Sequence, residues 1–165
     1  MKIKYMLLCF GAAILTVNSK LAIGQETTSN LPMDRVYTGK LIMPDFKGHA
    51  KDFSNYRTRI TEGMQKGPNF AGHYTIIIIG CGTACRFAFV GDVSNGRVYS
   101  FPYGGEDNYD MTLNFNVTSN IVSVRWISGD NCIQDDVSWD GAKFSSLSLH
   151  RLGNRAFCES IYGIF

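Results

Sequence analysis

The chain has 165 residues, 16 of them basic and 14 acidic, and 45% of its side chains are apolar. That length suits one domain with a real core, and the absence of low-complexity tracts and internal repeats excludes fibrous and solenoid architectures. Three lysines (Lys2, Lys4, Lys20) lie in the first 24 residues, so the remaining 13 basic side chains face 14 acidic ones; a net charge of −1 gives no support to nucleic-acid binding.

Lys2 and Lys4 precede an uncharged stretch, Tyr5 to Val17, and Ala22-Ile23-Gly24 then offers small residues where a signal peptidase reads. This layout predicts a secretory signal over 1–24, cleaved after Gly24. Crossing a membrane takes about 20 apolar residues, so the stretch is too short for an anchor and no span is expected in the mature chain. Cys9 sits mid-stretch without a small residue before it, which argues against lipidation. Residues 25–33 read as a polar leader, and 34–165 as a single domain.

Val36 to Met43 reads as a first short strand ended by Pro44. Phe53, Tyr56, Ile60 and Met64 recur at three- and four-residue steps, predicting an amphipathic helix over 49–65 that Gly67-Pro68 stops. From there the pattern is strands. His73 to Ile79 is β-branched without alternation, as in a central strand buried on both faces. Arg86–Gly91 and Arg97–Pro102 flank Ser94-Asn95-Gly96, a strong hairpin signal. Met111–Val117 and Ile121–Ile127 alternate around Thr118-Ser119-Asn120; Val137–Trp139 and Phe144–Leu149 flank Asp140-Gly141; Ala156–Tyr162 reads as a last strand. Tight turns pair successive strands antiparallel. The expected fold is α+β and mainly β: an antiparallel β-meander with one N-terminal amphipathic helix, stapled by disulfides.

Export settles how Cys81, Cys85, Cys132 and Cys158 are read. In an oxidising compartment they are bridges, and three pairings are formally open. Cys81 and Cys85 flank a short reversal between strands and are the favoured pair, leaving Cys132 with Cys158. A zinc site from Cys81, Cys85 and His73 is compatible with the spacing, and the oxidising surroundings weigh against it. Nucleophilic chemistry by Cys81 with His73 as base fails on distance, since eight extended residues at about 3.3 Å each separate them by roughly 26 Å. A hairpin folding straight back would bring residues 89–92, not Cys85, beside His73, whose ring is expected to bond a nearby carbonyl.

Residues 34–66 hold seven basic and four acidic side chains, whereas 92–140 hold two basic and eight acidic. The acids are expected in loops, at Glu106, Asp107, Asp110, Asp130, Asp135 and Asp136. Tyr103, Glu106, Asp107, Tyr109 and Asp110 mix aromatic and acidic character in one long loop, a candidate partner-binding surface. Neither acidic segment has the alternating ligand spacing of an EF-hand, so no calcium site is expected. Asn116-Val117-Thr118 is formally a glycosylation acceptor, placed on a strand. No phosphate-binding glycine loop or Gly-x-Ser-x-Gly elbow is present.

Asn69-Phe70-Ala71-Gly72-His73-Tyr74, a strand, then Gly80-Cys81-Gly82-Thr83 and Cys85 resembles the core of a family of small exported bacterial proteins. Gly96-Arg97-Val98-Tyr99 followed by Pro102, and Trp139-Asp140-Gly141-Ala142-Lys143-Phe144, fit the same pattern, which covers about residues 67–147. The resemblance implies a bacterial envelope protein and supplies no reaction; the helix and the Cys158 tail lie outside it. A small exported protein without an assembled catalytic set is expected to be a periplasmic binder rather than an enzyme, needing no cofactor and no metal. The expected class is an immunity protein that occludes a cell-wall-targeting antibacterial effector, with a protein as its partner. The alternatives are an enzyme acting on envelope polymers through Glu106, Asp107, Asp110 and Asp136, or a structural envelope module.

Overall fold

A computed structural model describes residues 35–161; the proposed signal and leader lie outside the described residues, as does the end of the Ala156–Tyr162 segment. A 3₁₀ turn, Lys51–Tyr56, runs into helix α1, Arg57–Gln65. Three strands follow, β1 (Tyr74–Gly82), β2 (Cys85–Asp92) and β3 (Val98–Gly104), paired in the order β1-β2-β3. The second sheet orders β4 (Tyr109–Asn114), β5 (Ile121–Ser128), β6 (Asn131–Trp139) and β7 (Phe144–Ser146). Strand β8 (His150–Asn154) pairs with the first half of β6, β7 with the second, and helix α2 (Arg155–Ser160) closes the described chain. All pairings are antiparallel.

The expected α+β, mainly β, disulfide-stapled fold is therefore present, with the meander divided between two sheets. Tyr74, Ile76, Ala88, Val90 and Phe101 of the first sheet share one apolar cluster with Met111, Val122, Val124, Val137 and Trp139 of the second. Ile77, Ile79 and Phe89 face the other way, onto Ile60 and Met64 of α1. The layers run helix, sheet, sheet. α1 sits so close that a side chain at Gly63 would run into Ile77, which is why this helical position tolerates glycine despite its cost.

Five local expectations are corrected. Val36–Met43 forms no strand: its backbone bonds go to separate acceptors, Tyr37 N–H to Gly72 C=O and Ile42 N–H to Val93 C=O. The predicted helix over 49–65 is tightened into a 3₁₀ turn in its first half. β1 is buried on both faces over Tyr74–Ile77, but Ile78 is exposed and the strand stands at the edge of its sheet. The last predicted strand is instead α2, begun by Asn154, whose side chain accepts from Phe157 N–H at 3.0 Å. Asp135 and Asp136 lie in β6, not in a loop, and β6 begins six residues earlier than Val137.

The disulfides pair Cys81 with Cys85 and Cys132 with Cys158, with Cα–Cα separations of 5.0 and 5.3 Å. The first closes the β1–β2 reversal. The second fastens α2 to β6 within a small cluster that includes Ile127 and Leu152.

Candidate functional site

The residues that connect β3 to β4 surround the tip of the β1–β2 hairpin. Glu106–Asn108 form a single 3₁₀ turn, and Gly105, with φ 73° and ψ −158°, turns the chain into it. Four contacts fix this loop from beneath. Gly105 N–H donates to Arg86 C=O at 2.8 Å, and Gly104 N–H donates to the Asn108 side-chain oxygen at 2.8 Å. Asp110 N–H donates to Ala84 C=O at 2.8 Å, inside the disulfide loop. Tyr103 donates its hydroxyl to the Asp135 carboxylate at 2.6 Å. Asp110 and Ala84 have φ of 56° and 55°, left-handed values that cost non-glycine residues energy and persist where neighbouring contacts dictate them.

The five predicted contact residues have different fates. Tyr103 turns inward: its ring lies 5.0 Å from that of Trp126, and burial, with the Asp135 carboxylate second, pushes its pKa up to about 12. Asp110 is held by Arg86, whose Nη1 lies 3.5 Å from its carboxylate and also donates to Met111 C=O at 2.9 Å. Arg125, buried on β5, faces the same carboxylate electrostatically and donates to Ile161 C=O at 3.1 Å; burial lowers its pKa, and Asp110 opposes that shift. The side chains of Glu106 and Asp107 are exposed and make no hydrogen bond or ion pair within the described residues. Tyr109 is 39% exposed, with the Arg155 guanidinium 5.2 Å above its ring, a cation–π contact.

Two clefts flank this loop. One, of about 370 Å³, is lined by the Cys81–Cys85 loop, Gly105, Glu106 and Tyr109. The other, of about 360 Å³, is open and lined by Ala84, Arg86, Asp110 and Glu159. Glu106 and Asp110 thus stand in separate clefts, and Asp136 lines neither, being bonded on β6 by Ser123 Oγ at 2.6 Å. Neither cleft is lined by more than one of the four carboxylates considered for acid–base chemistry, Glu106, Asp107, Asp110 and Asp136.

Sequence reasoning missed the anchors. Asp135 is fully buried and accepts from Tyr103 Oη at 2.6 Å, Ser146 Oγ at 2.9 Å and Ser148 N–H at 3.3 Å. A signal for it exists: Asp135, Val137 and Trp139 share one phase of β6, so an acid stands where the strand otherwise turns apolar residues inward. Arg86 and Arg125 carried no comparable signal, because their partners are distant in sequence; Arg155 pairs with Glu159 four residues on, at 3.0 Å, and only its contact with Tyr109 is distant.

His73 lies at the opposite end of β1, about nine residues from the disulfide tip. The hairpin folds straight back, and His73 Nε2 is 3.8 Å from Asp92 Oδ2. The expected bond from its ring to a carbonyl is absent among the described residues, where Nδ1 is buried with no partner. Asp92 is occupied by Ser94 N–H at 2.9 Å, Ser94 Oγ at 2.6 Å and Asn95 Nδ2 at 2.8 Å. Burial lowers the His73 pKa below 6.5, and the Asp92 carboxylate only partly offsets this. The folded state therefore binds this proton less readily than the unfolded chain does. Stability is expected to be full above the unfolded value of 6.5 and to fall as the pH drops through it toward the lower folded value. Urea unfolding at a series of pH values should show that slope in the wild type and a flatter one in His73→Phe; equal slopes would place the titration elsewhere.

The disulfide occupies both thiols of the Cys81, Cys85 and His73 set, and His73 is remote from them. Among the described residues no three His, Cys, Asp or Glu side chains are grouped to hold a metal ion. None of the described helices is long and apolar enough to cross a membrane. No protein-family model, curated protein or solved structure matches the chain.

Proposed function

We propose that this chain is an exported binding protein that acts through the loop between β3 and β4, with Glu106, Asp107 and Tyr109 as its contact residues. One observation carries the reading: the loop is fixed from beneath by four contacts while its two acids stay exposed and unoccupied. A surface already ordered before association loses little entropy on binding. Paired acids beside an aromatic ring suit a basic protein surface, and such charge complementarity speeds encounter.

Within that class the chain is an immunity protein that occludes a cell-wall-targeting antibacterial effector in the periplasm. The signal-like N-terminus supports export, and two disulfides suit an oxidising compartment. Producing the protein in cells challenged by such an effector should protect them. Glu106→Lys with Asp107→Lys should lower the association rate at least about tenfold at low salt, measured by surface plasmon resonance against the captured effector. A wild type that neither protects nor captures a periplasmic protein would sink the proposal. Release of fragments from cell-wall polymer by the purified protein would replace it with the enzyme reading.

A further inference from the structure

The parity of the β1–β2–β3 ladder fixes which backbone groups of β1 face outward. Val93 N–H donates to His73 C=O at 3.0 Å and Asp92 N–H to Arg97 C=O at 2.8 Å, so odd positions of β2 bond toward β1 and even ones toward β3. Their register partners on β1 are Thr75, Ile77 and Ile79. Tyr74, Ile76, Ile78 and Gly80 consequently turn their N–H and C=O groups to the open edge.

The first two of these are covered. Tyr74 N–H donates to Phe70 C=O at 2.9 Å and its carbonyl accepts from Phe70 N–H at 3.0 Å. The Asn69 side chain acts as a substitute strand for Ile76, accepting its N–H at 2.8 Å and donating to its carbonyl at 3.1 Å. Ile78 and Gly80 have no such cover among the described residues. Nor does any charge or proline interrupt Ile76–Gly82 to blunt the edge, as exposed edges ordinarily require.

The uncovered stretch is complementary to itself. Ile78 is 41% exposed, and Gly80, two residues on and therefore on the same face, has open space where a side chain would stand. We propose that β1 pairs edge to edge with β1 of a second copy of this chain, antiparallel about a two-fold axis beside Ile79. Ile78 of each copy then lies opposite Gly80 of the other. Each opposed pair exchanges two backbone hydrogen bonds, so all four groups of Ile78 and Gly80 in both copies find partners. Each isoleucine side chain covers the bare backbone of the glycine it faces. The irregularity between Gly80 and Gly82 ends the contact there, and the two three-stranded sheets join into one of six. A contact of this size associates weakly and in a concentration-dependent way.

This pairing does not rest on the contact-loop reading, which a monomeric chain would leave standing. Sedimentation equilibrium over a concentration series tests it. The wild type is expected to show a monomer–dimer equilibrium, and Ile78→Lys and Gly80→Pro each to weaken it at least about tenfold. Proline at residue 80 removes an N–H that faces outward, so the fold loses no internal bond, and Ile78→Lys decides the matter should the proline variant misfold. A wild type that is monomeric at every concentration, or a dimer indifferent to a folded edge variant, would overturn the proposal.

Discussion

Asp135→Ala is expected to destabilise the protein by about 2–4 kcal/mol, because hydrogen bonds to a charged acceptor contribute about 1.5–3 kcal/mol each and an orphaned buried donor adds its own penalty. The three donors do not weigh equally. Ser146 and Ser148 are exposed, so their groups turn to water once the carboxylate is gone. Tyr103 Oη is packed beneath the loop against Trp126, and it bears the loss. Removing the desolvated carboxylate returns part of the cost, which sets the upper end of the range. Tyr103→Phe deletes one of the three bonds and leaves the other two, so about 1–2 kcal/mol is expected. Urea unfolding of both single variants and the double variant gives the coupling directly. Hydrogen exchange supplies the functional half: amides of residues 104–110 should exchange faster in either variant while those of β5 do not. A loss under about 1 kcal/mol for Asp135→Ala would mean that the carboxylate is not the anchor of the contact loop.

The burial of Asp135 marks a limit in reading this chain. Alternation reports which face of a strand is covered, and it was enough to place β4 and β5 within a few residues, as the Asn95-Gly96 turn was for β2 and β3. It reports nothing about position in the ladder. The isoleucines of β1 lack alternation because α1 covers one face and the second sheet the other, a condition met by an edge strand as well as by a central one. Leu147 and Leu149 alternate with serines, yet are 56% and 62% exposed. There β7 ends at Ser146: Leu147 N–H makes one more in-register bond, to Asp136 C=O at 2.7 Å, and Ser148 N–H then leaves the ladder for the Asp135 carboxylate. α2 was hidden for a different reason. Phe157, Cys158, Ile161 and Tyr162 suit a strand as readily as a helix, and Ala156 with the Asn154 cap marked the helix start.

The contact loop was legible as composition but not as geometry. Its tyrosines and acids stand out in sequence, and nothing there separates Tyr103, which anchors, from Tyr109, which is exposed. Asp110 is likewise set apart only by Arg86 and Arg125, residues on β2 and β5 that the fold brings to it. The Asn69–Tyr74 and Trp139–Phe144 segments behave similarly. Tyr74 donates its hydroxyl to Gly141 C=O at 3.4 Å, and the Tyr74 and Tyr99 rings pack edge-on against Trp139 at 5.4 and 5.1 Å. Phe70, Tyr74, Tyr99, Trp139 and Phe144 thus form the joint between the sheets.

Removing the Cys132–Cys158 bridge is expected to cost more than removing Cys81–Cys85, although the second is the more conspicuous in sequence. Chain entropy scales with the loop closed: a separation of 26 residues gives about 3.5 kcal/mol and one of 4 residues about 2 kcal/mol. Packing widens the gap. Cys132 is fully buried and Cys158 is 5% exposed, so alanine at both also leaves a cavity, whereas Cys81 is at the surface. Moreover, α2 has six residues, too few to be helical without a tertiary tie. Cys132→Ala with Cys158→Ala should lower the melting temperature by roughly 10 °C, against a few degrees for the Cys81, Cys85 pair. The same difference in access orders their reduction. Mild dithiol treatment of the native protein, followed by alkylation and peptide mass spectrometry, should label Cys81 and Cys85 while Cys132 and Cys158 stay bridged. Opening that loop frees Ala84 and with it the carbonyl that holds Asp110 N–H at 2.8 Å, so exchange in residues 104–110 should quicken without global unfolding. Simultaneous labelling of all four cysteines would mean that the two bridges open in one cooperative event, and that the contact loop has no local stability of its own.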